Sequence, residues 1–457
     1  MELKDKRVLV VGLGRSGVAS ALFLKEHGAR VTVSDTKSGD ELRNEIPILL
    51  DHGITVETGG HGERTFRGQD LIVVSPGVPV DAPALVQART LGGEVIGEIE
   101  LASQFLPGPM VAITGSNGKT TTTTLAGGIL TAGGFPTLVG GNIGTPAISL
   151  VERAKPGTVI VLEVSSFQLE TIQAFRPKVA VVLNVTPDHL DRHKTFEAYA
   201  DAKARMFENQ RNDDFAVLNA DDPTCVAMAQ RIKAQIFWFS RQKEVRQGTW
   251  VRDGNILFRR GDGQEENGQR EIMPVSEIPL KGAHNLENVL AAACAGALMG
   301  CETKKIRQAV HDFKAVEHRL EFVATVGGVD YYNDSKATNV DATIKALESF
   351  PANIHLILGG KDKGSDYTVL NELLQKRVKR VYTIGAAAEK IESQIASKSG
   401  NVEVVHAETL ENAIRKAHAA AVPGDVVLLA PACASFDQFK NYEHRGLVFK
   451  EIVRGLA

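Results

Sequence analysis

The chain has 457 residues, which at about 150 residues per domain predicts three domains. Hydrophobic residues make up 43%, enough for several cores, and this excludes a disordered chain. Lys and Arg number 52 against 55 Asp and Glu, a net charge of -3, so there is no basic excess to hold nucleic acid. No uninterrupted apolar run approaches the ~18 residues of a membrane span, so no membrane insertion is expected. MELKDKRVLVVG enters a strand directly and lacks a signal-peptide pattern. Cys225, Cys294, Cys301 and Cys433 form no metal-ligand spacing. They read as reduced thiols of a cytoplasmic protein.

In chain order, Lys6 to Val11 is a short apolar run followed by GLGRSG, an apolar-periodic helix and the run RVTVSD, ending at Asp35. This β-turn-α-β pattern carries Gly12, Gly14 and Gly17 in the G-x-G-x-x-G spacing, with Asp35 about 20 residues on. Alone it favours a nicotinamide or flavin dehydrogenase. The physics is less selective, because such a loop with its helix N-terminus suits any pyrophosphate, including that of UDP. A tight strand-helix turn without a ligand is the bland alternative. DLIVVSPG predicts another buried strand and loop, and LPGPM a linker near Leu106.

A second system opens at Val111. VAITG, VIVLEVSS, VAVVLNV and FAVLNA are continuous apolar runs stopping at polar residues, as in parallel strands buried on both faces. Ser240 to Gly282 alternates and is charged, which predicts antiparallel edge strands. ITGSNGKTT joins a strand to a helix. A strict Walker pattern needs glycine where Ile113 stands, yet Gly115, Ser116, Asn117 and Gly118 can expose amides to phosphates. Lys119 can reach the terminal phosphates, and the hydroxyl of Thr120, beside Thr121, can bind Mg²⁺. Glu163 ends an apolar run, where a carboxylate is costly unless paired and is well placed as a metal ligand. TPDHLDRH puts Asp188, His189 and Asp191 after the next strand. His189 there suits a ligand, whereas Lys203 alone reads as a solvated helix residue.

After His318 a third system repeats the pattern in GGVDYYNDSKA, IHLILGG, RVYTIG and VVLLAPACAS. The expected architecture is α/β, with consecutive domains over 1–106, 107–315 and 316–457. Ligands are expected at the carboxyl ends of strands. SFDQ, from Ser435, has the S-x-x-Q spacing of a helix capping box.

The strings GSNGKT, GGNIG, LEVSSFQLE, NVTPDHLDRH, AHNLEN, EHRLE, NDSKATN and PACASFDQFKNYEHRG occur in one order along the whole chain. With them the sequence resembles the Mur ligase family of ATP-dependent amide-forming enzymes of cell-wall synthesis. The last two strings look like members that add D-glutamate to UDP-N-acetylmuramoyl-L-alanine. The resemblance implies a Rossmann-like first domain, a P-loop ATPase-like central domain with a mostly parallel sheet, and a Rossmann-like third domain. It reverses the dehydrogenase reading: Gly14, Ser16, Asp35, Thr36, Ser75, Gly77 and Asn142 would contact the UDP substrate. Arg15 and Lys37 depart from the family's side chains. ATP would lie on Gly115 to Thr121, with Asn285, Arg319 and Asp334 near adenine and ribose. Two Mg²⁺ ions are implied, one on Thr120 and Glu163, the other on His189 and a CO₂-derived carbamate of Lys203. Thr338, Lys363, Ser435, Phe436 and Tyr442, the last where phenylalanine is expected, would line the acceptor pocket. Lys336 would neutralise phosphate or bridge domains. A monomer is expected, and a sister ligase with another amino acid is the nearest alternative.

Overall fold

The computed structural model describes residues 1–261, 268–280, 282–314, 316–396 and 402–456. Three sheets follow one another along the chain. The first comprises β1 (Arg7–Val11), β2 (Arg30–Ser34), β3 (Thr55–Glu57), β4 (Leu71–Val74) and β5 (Val95–Gly97), all parallel in the order β3-β2-β1-β4-β5. Val8 to Val11 and Leu71 to Val74 are wholly buried, as the uninterrupted apolar runs require of strands covered on both faces. The order reverses at β1, and Val11 stands in register with both Ser34 and Val74. Gly12, Asp35 and Ser75 therefore emerge together at one sheet edge, the switch point where doubly wound folds bind ligands.

The second sheet comprises β6 (Met110–Thr114), β7 (Thr137–Gly141), β8 (Val159–Glu163), β9 (Val179–Val182), β10 (Phe215–Asn219), β11 (Gln235–Ser240), β12 (Gly248–Arg252), β13 (Asn255–Arg259) and β14 (Gln269–Pro274). Its order is β14-β13-β12-β11-β10-β9-β6-β8-β7. β6 to β12 all pair in parallel with one another; the antiparallel pairs are β12 with β13 and β13 with β14. The expected antiparallel edge is thus present, but its first strand, β12, pairs in parallel with β11.

The third sheet contains β15 (Glu321–Val326), β16 (Val329–Asn333), β17 (Ile354–Gly359), β18 (Val378–Ile384), β19 (Glu403–Glu408) and β20 (Val426–Leu429). Its order is β15-β16-β20-β17-β18-β19, parallel except for the edge strand β15. Contacts divide the chain into two compact units. One holds the first two sheets and spans Met1–Val185, Arg192–Glu277 and Asn288–His311; the other spans Thr186–Asp191, Ile278–Glu287 and Asp312–Ala457. No helix of the described residues is long and apolar enough to cross a membrane.

Two carboxylates fasten the first sheet to the second. Glu100 accepts from the amides of Gln173, Ala174 and Phe175 at 2.8, 3.1 and 2.9 Å. Glu98 accepts from the Ile148 amide at 2.8 Å, while its buried Oε2 has no hydrogen-bond partner. Burial pushes the Glu98 carboxyl up to about 7 from its ordinary 4.5. The unfolded chain therefore releases this proton first as pH rises. Stability from this group is fully present below pH 4.5 and is lost as pH climbs through about 7. Glu98→Gln, which keeps the amide acceptor and does not titrate, is expected to match the parent in Tm near pH 4.5. At pH 8 it should be the more stable protein, by up to about 3 kcal/mol. Identical pH dependence of the two melting curves would refute this.

Candidate functional site

The strand-helix loop after β6 forms the first part of the site. Gly118 takes φ +84°, and an added Cβ would stand 2.1 Å from Asn288 Oδ1, so only glycine fits before the helix Lys119–Ala132. Asn288 in turn accepts from Thr122 Oγ1 at 3.2 Å. Asn184, at the end of β9, holds the loop from the other side. Its Oδ1 accepts from Asn117 N at 2.9 Å and its Nδ2 donates to Asn117 O at 3.2 Å. Lys119 Nζ donates to the loop carbonyls of Gly115 and Ser116, each at 2.9 Å. The loop is thus braced by side chains from three elements.

Glu163 ends β8 beside Ile113 and Gly141 and is 2% exposed. Its Oε2 accepts from Thr120 Oγ1 at 2.8 Å and its Oε1 from Asn142 Nδ2 at 2.9 Å. Thr120, Glu163 and Asn142, separate in sequence, form one cluster next to the phosphate loop. All the atoms offered are hard oxygen donors apart from the Asn142 amide, a set that suits Mg²⁺ better than a softer metal. Lys203 is only 1% exposed; its Nζ donates to Gly115 O at 2.8 Å and lies 4.5 Å from the Tyr199 ring centroid. The solvated-helix reading of Lys203 is therefore wrong. Tyr199, one helical turn earlier in Phe196–Ala204, also meets Ser116 Oγ at 3.0 Å. Two lysines, 119 and 203, thus share one carbonyl oxygen.

The first glycine loop lies in the same compact unit. Gly12 has φ +90°, and a Cβ on Gly17 would fall 1.8 Å from Gly12 O, so the fold itself demands both glycines. Gly14 differs. It has φ -70°, and a Cβ there would meet nothing within 4 Å. It is the N-cap of the helix Arg15–Glu26, a position that glycine suits, and its face is open. Asp35 is turned inward: its carboxylate accepts from Leu13 N at 2.6 Å and Lys37 N at 2.9 Å. Ser75 Oγ donates to Gly12 O at 2.7 Å. Ser16 is half-buried, and Thr36 and Gly77 are exposed at the same strand ends. Arg15 lines a cleft of about 510 Å³ between the helix Arg15–Glu26 and the segment around Ile148.

The second compact unit holds a cluster of its own. Asp188 accepts from Asn339 Nδ2 at 3.0 Å, and Lys363 Nζ lies 3.7 Å from it. His189 adopts φ +54°, its amide donating to Asp188 Oδ1 at 2.9 Å. Asp334 follows β16 and Thr338 follows on the same loop. Burial raises the Asp334 carboxyl to about 6 against the opposing charge of Arg319. Asn285 is buried in the first turn of the helix Ala283–Leu298. Lys336 Nζ lies 4.8 Å from the Tyr442 ring centroid. Ser435 is buried and Phe436 is 68% exposed.

One local expectation fails. Ser435 caps no helix: the amides of Gln438 and Phe439 donate to its carbonyl in a single turn, and the helix Tyr442–Arg454 is capped by Asn441, which accepts from His444 N at 2.8 Å. The capping box with both reciprocal bonds is at Ser165 and Gln168. Asn184, Tyr199 and Asn288 were also missed. Tyr199 stands four residues before Lys203, a spacing that shares one helix face and could have signalled it. Among the described residues, the one trio of metal-capable groups within 4.8 Å is Glu317, His318 and Glu321, and Lys450 hydrogen-bonds to both of its carboxylates.

Known proteins repeat this three-part order. Residues 6–97 match the Mur ligase MurD-like N-terminal domain, 113–296 the Mur ligase middle domain, and 318–433 the Mur ligase glutamate ligase domain. A UDP-N-acetylmuramoylalanine–D-glutamate ligase of Koribacter versatilis is 67% identical over 457 residues, covering 100% of this chain and 99% of the relative. Relatives of that name from Acidobacterium capsulatum and Geotalea daltonii are 60% and 50% identical, each over 100% of this chain and 98% and 99% of their own. Among solved structures, a pseudomurein peptide ligase type C from Methanothermus fervidus has a TM-score of 0.62 at 20% identity, covering 99% of this chain and 100% of the other. The MurF ligase from Thermotoga maritima in complex with ADP also reaches 0.62, at 18% identity over 100% and 99%. The structures share the fold, and the sequence matches go further: with all three domains matched in order and full-length identity far above 30%, this chain belongs to the Mur ligase family.

Proposed function

We infer that this protein joins the amine of D-glutamate to the L-alanyl carboxylate of UDP-N-acetylmuramoyl-L-alanine, consuming ATP. The observation that carries this reading is 67% identity, over the whole chain, to a relative of that activity. A carboxylate resists attack by an amine because it is negatively charged and oxide is a very poor leaving group. Phosphorylation removes both obstacles. The alanyl carboxylate attacks the γ-phosphate of ATP, giving an acyl phosphate and ADP. The D-glutamate amine then attacks the acyl carbon, and phosphate leaves as the tetrahedral intermediate collapses and the amine gives up its proton. The protein's work is positioning and charge neutralisation.

Lys119 would exchange the Gly115 and Ser116 carbonyls for phosphate oxygens, and the loop amides would hold the same groups. Thr120 and Glu163 would hold one Mg²⁺, and His189 with carbamylated Lys203 a second; bound there, the ions neutralise charge on the transferring phosphoryl group. Asn285, Arg319 and Asp334 would serve adenine and ribose. The open face of Gly14, with Ser16, Thr36, Ser75 and Gly77, would receive the UDP moiety, while Asp35 shapes the loop through the Leu13 amide. Lys363, Ser435, Thr338, Phe436 and Tyr442 would receive the acceptor. We place the enzyme in the cytoplasm as a monomer.

The test is phosphate release from ATP and UDP-N-acetylmuramoyl-L-alanine with single amino acids added in turn. D-Glutamate is expected to stimulate release; stimulation by a different amino acid, such as a diamino acid, would instead assign a sister ligase.

A further inference from the structure

Arg445 lies on the helix Tyr442–Arg454 with 0% exposure. Its Nε donates to Ser335 Oγ at 3.0 Å, and its Nη2 to Ser335 O at 2.8 Å and Cys433 O at 3.1 Å. Its Nη1 points at Ala434 O at 3.5 Å and lies 3.2 Å from where a Cβ on Gly360 would stand. One guanidinium therefore meets the chain just beyond β16, β17 and β20. Each of these loops carries residues assigned above to the acceptor: Thr338 after β16, Lys363 after β17, Ser435 after β20. The last two loops are also paired directly, Lys361 N donating to Ala434 O at 2.8 Å and Ala434 N to Lys361 O at 3.1 Å.

The hydrogen-bond partners of this cation are carbonyls and a hydroxyl, with no carboxylate among them. Burying a charge without a counter-charge is unfavourable, and an apolar side chain of similar volume would pack the same space more cheaply. Burial draws the guanidinium down to about 10, which leaves it charged at neutral pH. The Asp437 carboxylate offsets part of this charge without hydrogen-bonding to it, and burial outweighs that help. A buried positive charge, only partly offset, at the carboxyl ends of three strands suits an anionic ligand placed over those ends. The planar fork also suits simultaneous bonds to separate loops better than an ammonium would.

Resting on the D-glutamate reading, we propose that Arg445 is the positioning residue of the acceptor site: it locks the three strand-end loops together and supplies the field that draws in a doubly anionic amino acid. The test is steady-state kinetics of the full chain, with D-glutamate and the UDP substrate varied separately. Arg445→Met is expected to raise KM for D-glutamate by about 10- to 100-fold while KM for the UDP substrate stays within about twofold. Arg445→Lys, which keeps the charge and loses the fork, should fall between Arg445→Met and the parent. A merely structural role would lower the active fraction, and so kcat, leaving both KM values alike. Should Arg445→Met fail to fold, Ser335→Ala removes the Nε acceptor, together with the hydroxyl's own bond to Tyr442 O at 2.8 Å, and must still raise KM for D-glutamate selectively, by several-fold. A D-glutamate-dependent parent whose KM is unmoved in Ser335→Ala and in whichever Arg445 variants fold overturns the role of Arg445 alone. A parent unresponsive to D-glutamate overturns the functional reading and this inference with it.

Discussion

Lys203→Met is expected to lose ligation by about three orders of magnitude while the UDP substrate still binds within about threefold. Methionine fills nearly the same volume, so the loss would not come from a cavity. Lys203 is buried, donates to Gly115 O, and shares that oxygen with Lys119. Two ammonium groups converging on one carbonyl repel each other, and the repulsion grows where water is excluded. A phosphate loop needs one lysine for its phosphates; a second ammonium at its base would also repel any metal nearby. On the proposed reading, the Lys203 ammonium would lose a proton, and attack of the neutral amine on CO₂ with loss of a second proton would give a carbamate, an oxygen donor in place of a cation. Supply of CO₂ then becomes a second handle on the same residue. Activity of the parent should fall in CO₂-depleted buffer and return with bicarbonate, and Lys203→Met should be indifferent. Near-normal turnover of Lys203→Met would sink this role, and so would a parent insensitive to CO₂.

The sequence is most legible where apolar runs stop at polar residues. VAITG, VIVLEVSS and VAVVLNV become β6, β8 and β9, and their register sets Glu163 beside Ile113. The strand-loop-helix at GSNGKTT was readable despite Ile113 in place of a glycine, because the turn itself rests on Gly118, which takes φ +84° before the helix Lys119–Ala132. Lys203 was illegible from composition, since a lysine on a mixed helix looks the same whether it faces water or a loop carbonyl. Ser435 shows the opposite error: S-x-x-Q is a necessary spacing for a capping box, but a helix must follow, and here Phe436 to Gln438 make only a turn. The partition into compact units was hidden too. Thr186–Asp191 and Ile278–Glu287 join the third sheet although each is flanked by residues of the other unit, and no local composition marks that exchange.

Glu163→Gln is the change in which stability and activity should part company. The side chain is isosteric, so Thr120 and Asn142 keep acceptable geometry around it once the amide is oriented. What disappears is a negative charge that is 2% exposed at a strand end and whose hydrogen-bond donors are both neutral. Removing a buried charge without an ionic partner is neutral or favourable for folding, so Tm should stay level or rise. On the proposed reading, catalysis would need that same charge to hold the cation that neutralises the γ-phosphate. Loss of the charge is expected to lower kcat by about 10² to 10³ and to raise the Mg²⁺ concentration needed for half-maximal rate. A residue kept for packing would show the reverse, with lower Tm and kcat little changed. Measured together, melting and Mg²⁺ titration separate the two cases: a variant that melts earlier but turns over normally would remove Glu163 from the metal site and leave it a structural residue of β8.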